Sequence, residues 1–193
     1  MIIGLTGGIG CGKTVVSRMM ASRGFCSLDS DEIIRSTLLI DSEVIDAIRE
    51  HLGPDVLKDS GQVDRGKLAR RVFADGASLA WLEGLLHPRL FEFWRNAFAA
   101  DRTKSWVVEV PLLFEKSLQN WFDFTVCVAS HPDVQLARLE RRGLPPELAR
   151  QRISKQLPLA HKIELVDFVL SNDGSLDFLR EQVSTLIASF SNA

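Results

Sequence analysis

The sequence lacks the features of a membrane protein, of a disulfide-stabilised protein and of a nucleic-acid-binding protein. Its longest apolar runs, such as 124–129, are strand-sized, whereas a membrane-spanning helix needs roughly 18 consecutive apolar residues. Only three cysteines occur among 193 residues, widely spaced and without a C-x-x-C pair, which favours a reduced compartment. A formal net charge of −2 gives no reason to expect nucleic-acid binding. Nothing resembles a signal peptide, so we expect a cytoplasmic globular protein.

The most specific feature that is present is a glycine-rich loop, Gly7–Thr14, with the spacing G-x-x-x-x-G-K-[ST]. Glycines let successive backbone N–H groups turn inward around a polyphosphate, the lysine reaches the β- and γ-phosphates, and the following hydroxyl can ligate Mg²⁺. A buried-strand pattern precedes the loop at 1–6, and a helical pattern follows at 15–21, so a helix N-terminus would face the anion. We predict a nucleotide-binding loop in which Lys13 holds phosphates and Thr14 holds the metal. The residues expected to contact the nucleotide are Gly8, Ile9, Gly10, Cys11, Gly12, Lys13, Thr14 and Val15.

A cysteine inside this loop is unusual and has two interpretations. Cys11 can simply replace another small residue, which is the interpretation we favour. The alternative is a redox-sensitive thiol, because the neighbouring amides and Lys13 would lower the pKa of Cys11.

Strand and helix signals alternate along the chain, which is typical of an α/β protein with a parallel sheet. Between about 32 and 100 the pattern is mostly helical and strand signals are nearly absent. We therefore expect a nucleotide-binding core formed by 1–31 and 101–193, interrupted by a helical insertion at 32–100.

Three carboxylates follow predicted strands, at Asp29, Asp31 and Glu109. In open α/β sheets ligands lie outside the carboxyl ends of the strands, so Asp29 and Asp31 could orient or deprotonate an acceptor hydroxyl near the γ-phosphate. The alternative is that either aspartate caps the next helix. We favour a functional Asp31 and leave Asp29 open. Glu109 could hold Mg²⁺ through water, or pair with an arginine.

The segment 135–155 is basic, with six lysines and arginines against two acidic residues. Arginines on a closing segment stabilise charge on the transferred phosphoryl group, and Pro145-Pro146 supplies the break that a lid needs. A solvated pair of basic helices is the alternative. Arg138, Arg141 and Arg142 are spaced so that they can share one helix face.

The helical insertion contains a His87-Pro88 pair, which predicts a break between helices at 79–86 and 88–99. His87 and Arg89 could bind an anionic acceptor. Taken alone, His87 is more simply explained as a helix-boundary histidine whose ring is satisfied by the backbone.

Taken together, these segments resemble the dephospho-CoA kinase family, and the similarity runs nearly from end to end. The shared segments are, in chain order, Gly4–Thr14, Asp29-Ser30-Asp31, Arg71-Val72-Phe73, Leu82-Glu83 before His87-Pro88, Pro111–Glu115, Arg138, Arg141, Arg152–Gln156 and Ser171–Gly174. Many nucleotide enzymes share the loop, whereas the combination with His-Pro, Pro-Leu-Leu-Phe-Glu and Arg-Ile-x-x-Gln is far more specific. Cys11 and Thr14 stand where the family usually has serine.

The resemblance implies ATP-dependent phosphorylation of the ribose 3′-hydroxyl of dephospho-CoA, the last step of coenzyme A biosynthesis. The implied fold is a P-loop, nucleoside-monophosphate-kinase-like core of five parallel strands in three layers, with a helical CoA-binding domain and a lid at about 138–158. By position, Asp31 would be the base, Arg141 a lid residue and Asn172 a neighbour of adenine. His87, Pro111 and Leu112 would border the acceptor pocket. The implied partners are ATP with Mg²⁺ and dephospho-CoA, without nucleic acid or membrane, for a monomer or weak homo-oligomer.

Two other functions share part of these features. A nucleoside monophosphate or shikimate-type kinase would have the loop and the lid, but would not require the His87-Pro88 and 111–115 segments. A nucleotide-dependent switch or GTPase would need an N-K-x-D segment to recognise guanine, and the chain has none.

Overall fold

A computed structural model describes residues 1–190 of the chain. The chain divides into two compact units. One is formed by Met1–Asp29 together with the chain from Thr103 onward, and the other by Ser30–Arg102. The second unit begins two residues before, and ends two residues after, the insertion expected at 32–100.

The first unit is built on a five-stranded, wholly parallel sheet, as the sequence predicts. The strands are β1 (Ile2–Gly7), β2 (Cys26–Asp29), β3 (Trp106–Glu109), β4 (Phe124–Ala129) and β5 (Phe168–Ser171), in the order β2-β3-β1-β4-β5. The central strands β1 and β4 are buried along most of their length, because parallel strands are covered by helices on both faces. The carboxyl ends of β1, β2 and β3 meet at one edge, where the nucleotide loop begins.

Among the described residues of the first unit there are five α-helices: α1 (Lys13–Ala21), α6 (Pro132–Arg141), α7 (Pro146–Ser154), α8 (Leu159–Leu165) and α9 (Leu176–Phe190). A hydrophobic core joins β1 and β4 to α1 and α9 through Ile3, Leu5, Val16, Val126 and Leu179. Helix α8 was not predicted, because seven residues are too few for helical periodicity to stand out.

The second unit is helical and consists of α2 (Ser30–Ser36), α3 (Ser42–Leu52), α4 (Arg65–Ala74) and α5 (Gly76–Ala100). Aspartates at the helix starts explain the positions of three of these elements. The side chains of Asp41, Asp64 and Asp75 each accept hydrogen bonds from backbone N–H groups two and three residues ahead. Such N-caps satisfy N–H groups that have no partner within the helix.

The predicted break at His87-Pro88 is wrong, since α5 is a single helix of 25 residues that continues through Pro88. Proline removes one backbone N–H and normally kinks a helix. Here the apolar stripe of Leu82, Leu86, Leu90 and Trp94 stays buried on both sides of Pro88, and the Arg89 guanidinium donates to the Leu85 carbonyl at 3.1 Å. The stabilisation from packing this stripe therefore exceeds the local cost of the proline. None of the helices within residues 1–190 is long and apolar enough to cross a membrane.

Candidate active site

The loop between β1 and α1 has the backbone conformation that a phosphate-binding loop requires. Gly12 has a φ of 99°, in the left-handed region that favours glycine. A Cβ at Gly12 would also collide with the carboxamide of Asn172. Glycine is therefore required at this position by both backbone and packing, immediately before the lysine of the loop.

Lys13 lies against its own loop. Its ammonium group donates to the carbonyls of Gly7 at 3.1 Å and Gly8 at 3.2 Å. These contacts hold a positive charge at the loop, where the terminal phosphates of a nucleotide would lie.

Beside the loop, two carboxylates and a hydroxyl form a group of oxygen ligands. The Thr14 hydroxyl donates to Glu109 Oε2 at 3.1 Å, and Asp29 is the register partner of Glu109 on the neighbouring strand. Burial, followed by the negative charge of Asp29, raises the pKa of Glu109. The charge of Asp29 thus disfavours the charged form of Glu109, and a bound cation would relieve that repulsion.

This group fits Mg²⁺, which prefers oxygen ligands and binds to proteins through one or two carboxylates together with substrate phosphates. Within residues 1–190, no group of three or more His, Cys, Asp or Glu side chains could hold a metal by itself. A metal at Thr14 would therefore depend on the nucleotide for the remaining ligands.

An arginine and an asparagine hydrogen-bond to backbone carbonyls of the loop. The Asn172 Nδ2 group donates to the Cys11 carbonyl at 2.7 Å, and Arg138 donates to the Asn172 carbonyl at 2.7 Å and the Ser130 hydroxyl at 3.0 Å. Arg138 also reaches the Gly10 and Cys11 carbonyls at 3.4 Å. Asn172 is buried, and its Oδ1 has no hydrogen-bond partner among the described residues.

The structure distinguishes arginines that the sequence left as a group. Arg138 turns toward the loop, whereas Arg141 is exposed in the last turn of α6 and Arg142 is exposed just after the helix. Helical phase does not single out Arg138, because Arg142 lies even closer than Arg138 to the face of α6 that carries the buried Gln135 and Leu139.

Cys11 does not have the properties of a reactive thiol. It is fully buried, and burial raises the pKa of Cys11 even though the Lys13 charge acts in the opposite direction. Lys13 and neighbouring amides do lower the pKa of this thiol, as the redox-sensitive alternative assumed, but the net change is upward and counts against that alternative. Desolvation of the thiolate is the larger effect.

Two predicted site residues belong to the helical unit. Asp31 is exposed in the first turn of α2. His87 lies inside α5, with its ring centroid 5.8 Å from that of Phe91. The interpretation of His87 as a helix-boundary residue is wrong, because the helix does not end there.

The segment Pro111–Glu115 contains an interaction that the sequence did not predict. Lys162, from α8, is fully buried and donates to Glu115 Oε1 at 2.8 Å and to the Pro111 carbonyl at 2.7 Å. Glu115 Oε1 also accepts from the Leu157 backbone N–H at 2.8 Å. A lone lysine on a seven-residue helix gives no sequence signal of burial, so only the tertiary structure identifies this pair.

Comparison with known proteins decides among the kinase families that share this loop. The family model described as dephospho-CoA kinase matches residues 1–177. The chain belongs to the dephospho-CoA kinase family. The dephospho-CoA kinase of Corynebacterium glutamicum is 35% identical over 190 residues, covering 96% of this chain and 97% of that protein. The enzyme of the same name from Geobacillus kaustophilus is 36% identical, covering 97% and 95%.

Comparison with solved structures supports the fold. A Thermus thermophilus crystal structure has a TM-score of 0.86 at 31% identity, covering 98% of this chain and 97% of that one. A shikimate kinase from Acinetobacter baumannii, at 19% identity and a TM-score of 0.52, covers 99% and 93%. That lower similarity shows a shared P-loop kinase fold and nothing about the acceptor.

Proposed function

We propose that this protein is a dephospho-CoA kinase that transfers the γ-phosphoryl group of ATP to the ribose 3′-hydroxyl of dephospho-CoA, giving coenzyme A and ADP. The single observation that carries the proposal is the family match over residues 1–177. The loop supports it chemically, because Lys13 and the neighbouring amides provide the positive charge and donors that a triphosphate needs.

The nucleotide side of the reaction is assigned to the first unit. Lys13 and the amides of the Gly8–Val15 loop bind the phosphates, except the Ile9 N–H, which donates to Gln156. Asn172 borders the adenine. Thr14 would hold Mg²⁺ beside Glu109, which accepts its hydrogen bond, and Asp29 is the register partner of Glu109. When bound, the metal neutralises charge on the β- and γ-phosphates.

The acceptor side is assigned to residues that match the family by position. Asp31 accepts the proton of the 3′-hydroxyl, or orients that hydroxyl, as it attacks the γ-phosphorus in line with the departing ADP. His87, Pro111 and Leu112 border the dephospho-CoA. Arg141, on the predicted lid at 138–158, stabilises the transferred charge. The protein acts in the cytoplasm on small molecules, as a monomer or weak homo-oligomer.

A coupled assay of the purified protein with ATP and Mg²⁺ tests this function. Dephospho-CoA, adenosine monophosphate and shikimate are compared as acceptors, and ADP release is followed through pyruvate kinase and lactate dehydrogenase. We expect turnover with dephospho-CoA alone. Turnover with either of the other acceptors, or acceptor-independent hydrolysis of GTP, would contradict the proposal.

The Lys13→Ala variant serves as the matched negative control in the same assay. It removes a side chain that contacts the loop carbonyls, so ATP affinity and turnover should fall together. Equal activity of wild type and variant would show that the measured ADP comes from a contaminating enzyme.

A further inference from the structure

One hydrogen bond joins the end of the predicted lid to the phosphate-binding loop. The backbone N–H of Ile9 donates to Gln156 Oε1 at 3.0 Å. Gln156 lies two residues beyond the end of α7, just after the cap residue Lys155. The donor belongs to the turn of the loop ahead of Lys13, so the contact fixes a part of the loop that α1 does not hold.

The next residue along the chain makes a second, independent contact. The Leu157 N–H donates to Glu115 at 2.8 Å, and Glu115 is held in turn by the buried Lys162. Two consecutive residues at the base of the lid thus bind two different loops. Gln156 binds the phosphate loop, and Leu157 binds the 111–115 segment that we assign to the acceptor.

Packing does not replace the Gln156 contact. A cavity of about 380 Å³ lies beside it, lined by Gly8, Ile153, Gln156 and Ile163 among others. The hydrogen bond is a direct link between the loop and the lid base at Ile9. Other contacts hold the flanking residues, since Lys13 donates to the Gly8 carbonyl and Arg138 reaches the Gly10 carbonyl. Losing the Gln156 contact would therefore release the turn at Ile9.

We propose that Gln156 is a positioning residue for phosphoryl transfer, which fixes the phosphate loop at Ile9 relative to the base of the lid. This inference rests on the proposed kinase function and adds to it a residue that acts through the loop backbone. Misplacement of reacting groups by about 1 Å can lower a rate by as much as ~10²-fold. A single released hydrogen bond should have a smaller effect.

The expected kinetic result separates positioning from nucleotide affinity. In Gln156→Met, a substitution of similar shape without an acceptor, kcat should fall about five- to tenfold, which corresponds to the net contribution of one hydrogen bond. The KM for ATP should change by less than about threefold, because Lys13 and the N-terminus of α1 still bind phosphates. Gln151→Met, on the exposed surface of α7, is the matched control and should change kcat by less than about twofold.

A second readout tests the contact without any acceptor. Amide hydrogen exchange at Ile9, followed by NMR on ¹⁵N-labelled protein, should be faster in Gln156→Met and close to wild type in Gln156→Glu, whose carboxylate still accepts the bond. Unchanged exchange at Ile9 in Gln156→Met would overturn the proposal. A loss of kcat no larger than that of Gln151→Met would also overturn it. By contrast, wild-type protein without activity on dephospho-CoA would refute the proposed function, while the exchange result would still report on the contact.

Discussion

The buried pair of Lys162 and Glu115 gives the sharpest test of the energetics described above. Lys162 is fully buried, and its ammonium group lies 2.8 Å from Glu115 Oε1 and 2.7 Å from the Pro111 carbonyl. Glu115 is 17% exposed, so water compensates little of its charge. Removing one partner of such a pair leaves an unpaired buried charge, which typically costs 3–5 kcal/mol.

We expect Lys162→Met and Glu115→Gln each to lower the free energy of unfolding by about 3 kcal/mol, near the lower end of that range. Glutamine keeps an acceptor for the Leu157 N–H, so Glu115→Gln mainly removes charge. The double variant contains neither charge. Its remaining defect is the Pro111 carbonyl, which loses a donor and costs about 1–3 kcal/mol.

Urea unfolding followed by tryptophan fluorescence measures the four proteins of this cycle. The double variant should be no less stable than either single variant, a strongly non-additive result. Arg180→Met, which removes the exposed partner of Asp177, is the control and should lie within the measurement error, since exposed pairs contribute little. If the double variant loses the sum of both single effects, the two side chains act independently and the reasoning is refuted.

Three further predictions concern the site itself. Asp31→Asn should lower kcat by about 10²–10⁴-fold. Its affinity for ATP, measured by calorimetry, should not change. Lost ATP binding with normal turnover would contradict the assignment of Asp31 as the base. The raised pKa of Glu109 means that the folded protein binds this proton more tightly than the unfolded chain. Stability is therefore lost as pH rises from the ordinary carboxyl value to the raised one. Thermal melts without nucleotide or metal should accordingly show Glu109→Gln more stable than wild type at neutral pH. Its Mg²⁺-dependent turnover should be weaker. If the melting temperatures of both proteins depend on pH in the same way, this reasoning is contradicted. Cys11 is buried and has a raised pKa, so it should react with iodoacetamide more slowly than the half-buried Cys26. Peptide mass spectrometry measures the labelling of each, and faster labelling of Cys11 would contradict its assignment as a structural thiol.

Much of the fold follows from local patterns in the chain. The apolar run at 124–129 became the central strand β4 with the same bounds, and the helical repeat at 176–190 became α9. Both segments are long or strongly patterned, so that local preference and burial agree. The break at Pro88 was predicted wrongly because local propensity opposed tertiary packing, and packing prevailed.

Within the site, the sequence predicted which residues take part better than it predicted which residues they contact. Spacing identified Lys13 and Thr14, but could not show that Thr14 donates to Glu109 or that Asp29 raises the pKa of Glu109. Helical spacing grouped three arginines, and only the structure shows that Arg138 is the one that holds the loop. Such contacts join residues that are 34 to 95 positions apart, which no local pattern records.

By itself the sequence determined the phosphate-binding loop, the alternation of strands and helices, and the family. Each depends on residue type at fixed spacing, because a loop, a strand and a helix are local geometries. Only the tertiary structure decided what surrounds that loop: the buried thiol of Cys11, the support from Arg138 and Asn172, and the contact of Gln156 with Ile9. Burial and hydrogen bonding between distant segments set those properties, and both arise only when the chain has packed.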